Sequence, residues 1–190
     1  EAPLSNDTLR SLQAGILGHD AIGLGLRRSP VFVGQATMRE DIVHYIAPHF
    51  EELAPLLEGL NEFEVATRGA ESVARSAVLA FGFVYIHPMR DGNGRLHRFL
   101  INDTLIRDKA VPDGVILPVS ATITSSIDFR AGYDRTLEVF SRPFMRRYAA
   151  AYRFGELVTY EDGTLSNFIF DEYADASFAW RYPDLTEHVL

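Results

Sequence analysis

Residues 87–98 decide how this chain is interpreted, and they read His-Pro-Met-Arg-Asp-Gly-Asn-Gly-Arg-Leu-His-Arg. A mostly apolar helical pattern runs up to His87 and ends there, because the residue before a proline is pushed away from the α-helical region. A glycine-containing turn follows and opens into a new helical pattern at Asn93. The segment therefore predicts a tight turn between two helices.

This turn is suited to bind an anion. Gly92 and Gly94 have no Cβ, so the backbone N–H groups beside them can approach a phosphate closely. At a helix N-terminus these N–H groups are unpaired, and the helix dipole favours negative charge. Arg95 and Arg98 lie three residues apart on one helix face, where both guanidinium groups can bind phosphate oxygens. This half of the segment predicts a phosphate site.

Two further side chains add chemistry to the phosphate site. Asp91 is an oxygen ligand suited to Mg²⁺, which binds nucleotides through one or two carboxylates plus phosphates. His87 can accept a proton near neutral pH. The residues together indicate a nucleotide site with its own proton acceptor. The competing interpretation gives His87 and Asp91 only helix-capping roles and makes Gly92–Gly94 an ordinary turn.

The composition limits the class of protein. A chain of 190 residues with 47% hydrophobic and 23% charged residues is typical of one globular domain. The net charge of −8 disfavours nucleic acid as a partner. The lack of cysteine excludes disulfides and cysteine-bound zinc and fits a cytoplasmic location. No apolar stretch reaches the ~18 residues of a membrane span, so we expect no membrane contact.

Outside this segment the hydrophobic pattern is mostly typical of helices, with one small region of β-structure. Helices are predicted over 9–17, 48–60, 71–86, 93–109, 126–140 and 143–154. Short extended segments at 29–34 and 45–47 are expected to pair as a hairpin. Residues 160–163, Tyr-Glu-Asp-Gly, predict a second hairpin turn near the C-terminus.

Residues 87–98 resemble the signature of Fic domains, His-Pro-Phe-x-(Asp/Glu)-Gly-Asn-(Gly/Lys)-Arg-x-x-Arg. Eight of its nine specified positions agree, and Met89 stands where phenylalanine is usual. Methionine is an adaptable apolar substitute, so we expect changed packing and retained chemistry. Val31–Gly34 resembles the edge of the family's β-hairpin flap, and the later helices are also similar, so the resemblance covers about residues 9–148.

The resemblance implies a mainly α fold, a Fic-type helical bundle with a small β-hairpin flap over the active site. It implies a Fic domain over residues 1–150, with its core at about 9–148. Residues 151–190 are then expected to form a C-terminal extension packed on the same domain.

The resemblance also implies an enzyme, a protein adenylyltransferase that transfers AMP from ATP to a Ser, Thr or Tyr hydroxyl of a target protein. His87 would be the general base and Asp91 the ligand of Mg²⁺. Nucleotide contacts are expected from Asp91, Gly92, Asn93, Gly94, Arg95 and Arg98. Nucleotide contacts are also expected from Val31, Phe32, Val33, Gly34, Tyr133 and Ser141. Arg90 and His97 occupy unspecified positions and are expected at the surface or behind the site.

Other activities of the same scaffold stay open, namely phosphorylation, removal of AMP, and silent nucleotide binding. Gly94 and Arg98 resemble the AMP-transferring branch more than the Doc-like kinases, and a pure binder has no need of His87. The expected partner is a target protein with an acceptor hydroxyl, which includes the chain itself. The inhibitory pattern (Ser/Thr)-x-x-x-Glu-(Gly/Asn) has no full match here. An inhibitory helix is therefore expected upstream or on a partner, if there is one.

Overall fold

The computed structural model describes residues 4–18, 23–36 and 41–189. Within these ranges it is mainly α, with two two-stranded antiparallel sheets, so the predicted mainly α fold with a small β-hairpin is confirmed. The elements are α1 (Asn6–Leu17), β1 (Phe32–Ala36), β2 (Asp41–Ile46), α2 (Leu53–Ala66), α3 (Ser72–Ile86), α4 (Asn93–Arg107), α5 (Val119–Thr124), α6 (Ile127–Tyr148), β3 (Tyr152–Thr159), β4 (Leu165–Phe170) and α7 (Tyr173–Arg181). None of the described helices is long and apolar enough to cross a bilayer.

Helices α3 and α4 form the centre of the molecule. α3 is buried over most of its surface, as its wide apolar pattern predicts. Its first turn is capped by the Glu71 carboxylate, which accepts hydrogen bonds from the Val73 N–H at 3.0 Å and the Ala74 N–H at 2.6 Å. α4 contributes the buried Leu96 and Leu100 to the same core. The turn between the two helices is thus held on both sides by well-packed elements.

The first hairpin pairs β1 with β2, which confirms the predicted pairing although β1 begins only at Phe32. The register shifts between Val33 and Gly34. A Cβ on Gly34 would lie 2.2 Å from the Ile42 carbonyl oxygen, so this close backbone approach requires glycine. Residues 37–40, which connect the strands, lie outside the described residues.

Two helix predictions in the second half of the chain are wrong. The predicted helices 126–140 and 143–154 are one helix, α6, which continues through Pro143 and ends at Tyr148. The Tyr45 ring contacts Phe140 and Phe144 at centroid distances of 5.9 and 5.8 Å, so packing holds the helix on both sides of the proline. These contacts offset the hydrogen bond that proline cannot donate.

The prediction also placed Phe154 in a helix, whereas it lies in β3 and packs on Phe168 of β4. The short helix α5 has no counterpart among the predictions. Pro55 lies in the first turn of α2, where proline is tolerated.

The C-terminal residues pack on the same core as the helices. The predicted turn at 160–163 is confirmed between β3 and β4, with the Gly163 N–H donating to the Tyr160 carbonyl at 2.9 Å. Phe168 contacts Phe32 of β1 at a centroid distance of 4.9 Å, and Trp180 contacts Phe144 at 5.2 Å. The domain boundary near residue 150 stays a prediction.

Candidate active site

One cavity of about 290 Å³ gathers the polar residues of the turn. Its lining consists of His87, Arg90, Asp91, Gly92, Asn93, Gly94, Arg95 and Arg98. A larger cavity of about 710 Å³ lies between α6 and the C-terminal residues, and its lining contains none of these side chains. Since the smaller cavity holds the predicted base, carboxylate and phosphate ligands together, we regard it as the functional site.

His87 is the last residue before the turn and caps α3 in a left-handed conformation, with φ 49° and ψ 55°. Its ring Nδ1 lies 3.2 Å from the Val84 carbonyl oxygen. Since a carbonyl can only accept, Nδ1 carries the hydrogen and Nε2 is left as the proton acceptor. A left-handed conformation costs a residue with a side chain about 1–2 kcal/mol, so the surrounding contacts must hold it.

The imidazole of His87 is neutral at physiological pH. Burial lowers its pKa from 6.5 to about 4; the Val84 hydrogen bond opposes this, and the charge of Arg27 adds to it. A neutral imidazole with a free Nε2 can take a proton directly. The predicted role of His87 as general base is therefore chemically feasible in this structure.

Asn93 and Met89 hold the turn in shape. Asn93 Oδ1 accepts from the Met89 N–H at 3.0 Å, and Asn93 Nδ2 donates to the Met89 carbonyl at 2.7 Å. The Met89 side chain is fully buried, so methionine anchors the turn in the core. The Asn93 side chain is thus engaged within the turn, which leaves its backbone N–H for a ligand.

The backbone at the start of α4 has the geometry that a phosphate site requires. Gly92 has φ +92° and is the N-cap of α4, so the N–H groups of Asn93 and Gly94 lie in the first turn of the helix. Neither N–H has an acceptor in the part of the chain that the structure describes. The Gly92 N–H instead donates to Asp91 Oδ1 at 2.6 Å. Two unpaired backbone donors therefore belong to residues that line the cavity together with Arg95 and Arg98.

Asp91 meets the requirements for a magnesium ligand. Its side chain is exposed at the cavity, and Oδ2 has no hydrogen bond to the described residues. No group of three or more His, Cys, Asp or Glu side chains suited to a metal occurs in the described ranges. One carboxylate beside a phosphate site is nevertheless the donor set that Mg²⁺ uses with nucleotides, because phosphate and water oxygens complete its coordination. The residues present fit the ion.

Val31–Gly34 do not line this cavity, and neither do Tyr133 and Ser141 of α6. The Phe32 ring packs on Phe168, while the Val33 side chain is exposed. The β1 strand has no partner other than β2 among the described strands, so its outer edge is open. Nucleotide contact by these four residues stays a prediction.

Tyr133 lies half-buried on α6, with its ring 6.1 Å from that of His97. Burial raises the pKa of Tyr133, and the charge of Arg98 opposes this. The Ser141 hydroxyl donates to the Leu137 carbonyl at 3.0 Å, one turn earlier in α6. A nucleoside contact by Tyr133 or Ser141 stays a prediction.

The supporting contacts of Gln13 and Arg90 escaped the sequence interpretation. Gln13 of α1 donates to the Asp91 carbonyl at 2.8 Å and accepts from the Gly25 N–H at 2.7 Å, and so ties the turn to α1. Arg90 was expected at the surface or behind the site, but it lines the cavity itself and donates to the Asp162 carbonyl at 2.9 Å. Helical spacing alone marks no position as a support of a distant turn, so the sequence offered no signal for these contacts.

His97 was expected at the surface or behind the site, and the first of these alternatives is wrong. Its side chain is fully buried, and Nδ1 lies 2.8 Å from the Ala80 carbonyl oxygen of α3. The residue lies one position before Arg98 on α4 and packs against Phe81. Its place in the core follows from the contact between α3 and α4.

Comparison with known proteins identifies the family of this chain. The profile of the Fic/DOC family matches residues 3–105. The chain is 32% identical to "Protein adenylyltransferase fic-1" of Caenorhabditis briggsae and 30% identical to the protein of that name in Caenorhabditis elegans. Each alignment covers 77% of this chain and 27% of the relative, so the chain spans about a quarter of their length. This chain belongs to the Fic/DOC family.

Proposed function

We propose that this chain is a protein adenylyltransferase, which transfers AMP from ATP to the hydroxyl of a Ser, Thr or Tyr residue in a target protein. The observation that carries the proposal is that a neutral His87 shares one cavity with the free N–H groups of Asn93 and Gly94. A proton acceptor beside a phosphate site is what transfer of a nucleotidyl group to a hydroxyl requires.

In the proposed reaction, His87 Nε2 takes the proton of the acceptor hydroxyl while its oxygen attacks the α-phosphorus of ATP. A bond forms between that oxygen and the α-phosphorus. The bond from the α-phosphorus to the oxygen bridging to the β-phosphorus breaks, and pyrophosphate leaves with the electron pair. General-base catalysis of this kind contributes about 10²–10⁴-fold to the rate.

The phosphates of ATP are proposed to lie on the N-terminus of α4. The N–H groups of Asn93 and Gly94 would donate to phosphate oxygens, and Arg95 and Arg98 would neutralise charge on the departing pyrophosphate. Asp91 would hold Mg²⁺, which when bound neutralises phosphate charge. Most of the rate then comes from positioning and electrostatic stabilisation.

The target protein is proposed to bind along the open edge of β1, where backbone groups can pair with an extended segment. The exposed Val33 and the open strand edge support this.

An inhibitory helix, upstream or on a partner, would act by placing a carboxylate on Arg98, which lines both the site and an adjoining cavity of about 570 Å³. The need for ATP and the absence of cysteine support a cytoplasmic location.

The test is the intact mass of the chain after incubation with ATP and Mg²⁺, alone and with a cell lysate in which labelled AMP is followed. We expect an AMP-sized increment on the chain or on a lysate protein, and its loss in His87→Ala. Calorimetry should show that His87→Ala still binds ATP, because the phosphate site does not include the imidazole. Arg95→Ala should weaken ATP binding in the same measurement.

Three outcomes would contradict adenylyl transfer. A phosphate-sized increment indicates a kinase, and release of AMP from a modified protein indicates the reverse activity. ATP binding with no transfer to the chain or to any lysate protein indicates a nucleotide-binding module.

A further inference from the structure

Arg27 lies just before the first hairpin, and its side chain is almost completely buried, with 1% of its surface exposed. Its guanidinium donates hydrogen bonds to backbone carbonyls from Nε and from both terminal nitrogens. The acceptors are His87 at 2.8 Å, Ser29 at 2.8 Å, Pro48 at 2.7 Å and Ile86 at 3.4 Å. Every acceptor that this side chain bonds in the described part of the chain is thus a backbone carbonyl.

A buried cation without a bonded carboxylate is unfavourable for folding in itself, because removal from water is not compensated by an opposite charge. Burial lowers the pKa of Arg27 to about 10, and the residue therefore stays charged at neutral pH. The dipoles of the bonded carbonyls stabilise it, and the charge of Asp162 adds to this attraction without a hydrogen bond. The planar guanidinium can reach several carbonyls at fixed angles, which neither lysine nor an apolar side chain can do.

The four carbonyls belong to two functional elements. Ile86 and His87 end α3, where carbonyls lack helical partners and the helix dipole favours a cation. Ser29 lies before β1 and Pro48 lies after β2, so they are the two ends of the hairpin. Backbone contacts also connect the segment before the hairpin to the turn after α3. The Arg27 N–H donates to the Pro88 carbonyl at 2.9 Å, and Leu26 forms a β-bridge with Met89.

We propose that Arg27 is a positioning residue for the reaction. Its guanidinium holds the His87 backbone in the left-handed conformation that directs the imidazole into the cavity, and it fixes both ends of the hairpin relative to that base. This inference rests on the proposed function, because it assigns roles to His87 and to the hairpin that the transfer reaction gives them.

The experiment compares Arg27→Lys with Arg75→Lys. Arg75 is a matched control, because it is equally buried and also donates to backbone carbonyls, those of Thr67 and Glu64. Its ion pairs with Glu64 and Asp108 join α2 to the end of α4, and it does not line the cavity. Arg27→Gln and Arg75→Gln form a second pair without the charge.

The readouts are the melting temperature, ATP affinity by calorimetry, and kcat and KM for ATP in AMP transfer. Displacement of a base by about 1 Å can cost about 10²-fold in rate, so we expect a kcat loss of about this size in Arg27→Lys. ATP affinity and KM should stay close to wild type, because the phosphate site is on α4. The Arg75 variants should lose melting temperature to a similar extent and keep kcat.

A kcat in Arg27→Lys no lower than in Arg75→Lys overturns the proposal. The proposal is also overturned if both Arg27 variants fail to fold while both Arg75 variants fold, because the Arg27 guanidinium is then required for folding. If the wild-type chain transfers no AMP at all, the proposed function has failed, and the ¹⁵N spectrum of the His87 ring decides this inference separately. A shift of the His87 signals in Arg27→Lys but not in Arg75→Lys supports positioning, and unchanged signals in both overturn it.

Discussion

Asn93 and Met89 are joined by two reciprocal hydrogen bonds across the turn, from the Met89 N–H to Asn93 Oδ1 at 3.0 Å and from Asn93 Nδ2 to the Met89 carbonyl at 2.7 Å. Both residues are buried, so water cannot replace either bond. The turn that carries His87 and Asp91 is thus closed by a side chain from the helix that it precedes. Its shape is set before any ligand binds.

Asn93→Ala should therefore destabilise the protein and weaken ATP binding together. The substitution leaves the buried N–H and carbonyl of Met89 without partners, and each such group costs about 1–3 kcal/mol. We expect a loss of about 2–6 kcal/mol in the free energy of unfolding, measured by urea denaturation, and at least a tenfold loss of ATP affinity (about 1.4 kcal/mol) by calorimetry.

The matched control for this prediction is Asn102→Ala. Asn102 makes the same reciprocal pair with Leu117, accepting from its N–H at 2.7 Å and donating to its carbonyl at 3.2 Å. It should lose stability while ATP affinity changes much less. Equal losses of ATP affinity in the two variants would show that the effect is not specific to the turn.

The His87 ring should remain neutral well below pH 6.5. Burial lowers its pKa to about 4, so the neutral form dominates at every pH above that value. The measurement is an NMR titration of ¹⁵N-labelled imidazole signals, with His87→Gln to assign them. We expect the neutral form with hydrogen on Nδ1 at pH 5.5, and half-protonation near pH 6.5 would contradict the prediction.

His97 should make the folded state sensitive to acid. Burial lowers its pKa from 6.5 to about 4, an effect that the Ala80 hydrogen bond opposes and the charge of Arg98 increases. The unfolded chain therefore binds more protons than the folded one between these values, and stability falls as the pH drops through this window. For a shift of this size, the loss from His97 between pH 7 and pH 5 is about 2 kcal/mol.

Urea denaturation at both pH values checks this prediction. The loss of stability from pH 7 to pH 5 should be smaller in His97→Gln than in wild type by that amount, whatever the absolute stability of the variant. The exposed His44 provides the control, and His44→Gln should keep the wild-type pH dependence. An unchanged pH dependence in His97→Gln would disprove the assignment.

Asp162 at the tip of the second hairpin should stabilise Arg28 and Ser29, the segment that leads into the first hairpin. Its carboxylate accepts from the Arg28 N–H at 2.8 Å and from the Ser29 hydroxyl at 2.9 Å. Burial opposes the charged form, but hydrogen bonds from Arg28, Thr164 and Ser29 outweigh it and lower the pKa of Asp162 to about 2. This stability is present above pH 3.8 and is lost as the pH falls toward 2.

Asp162→Ala should lower the free energy of unfolding at pH 7 by about 1–3 kcal/mol, because hydrogen bonds to a charged acceptor are removed. Asp171→Ala is the control, since that carboxylate pairs with Arg153 at an exposed position and should contribute little. Urea denaturation measures both. Equal stability of the two variants would mean that the hairpin tip does not hold the segment.

The sequence by itself determined those helix ends and turns that are fixed by residues within the same short segment. The proline after His87 and the glycines of the turn predicted the end of α3 and the start of α4, because they restrict or free the backbone where they stand. The same holds for the turn at 160–163 and for the pairing of β1 with β2. The residues of the candidate site were predictable because most of them lie within one short segment.

The tertiary structure decided the features that depend on which side chains of a helix or loop face the core. Aromatic contacts with Tyr45 carry α6 through Pro143, although proline predicted a boundary. Arg27 is buried while the adjacent Arg28 is exposed, and no periodicity in the sequence distinguishes them. Three of the four carbonyls that stabilise Arg27, those of Pro48, Ile86 and His87, come from segments distant in sequence, so its burial is favourable only after the chain has folded around it.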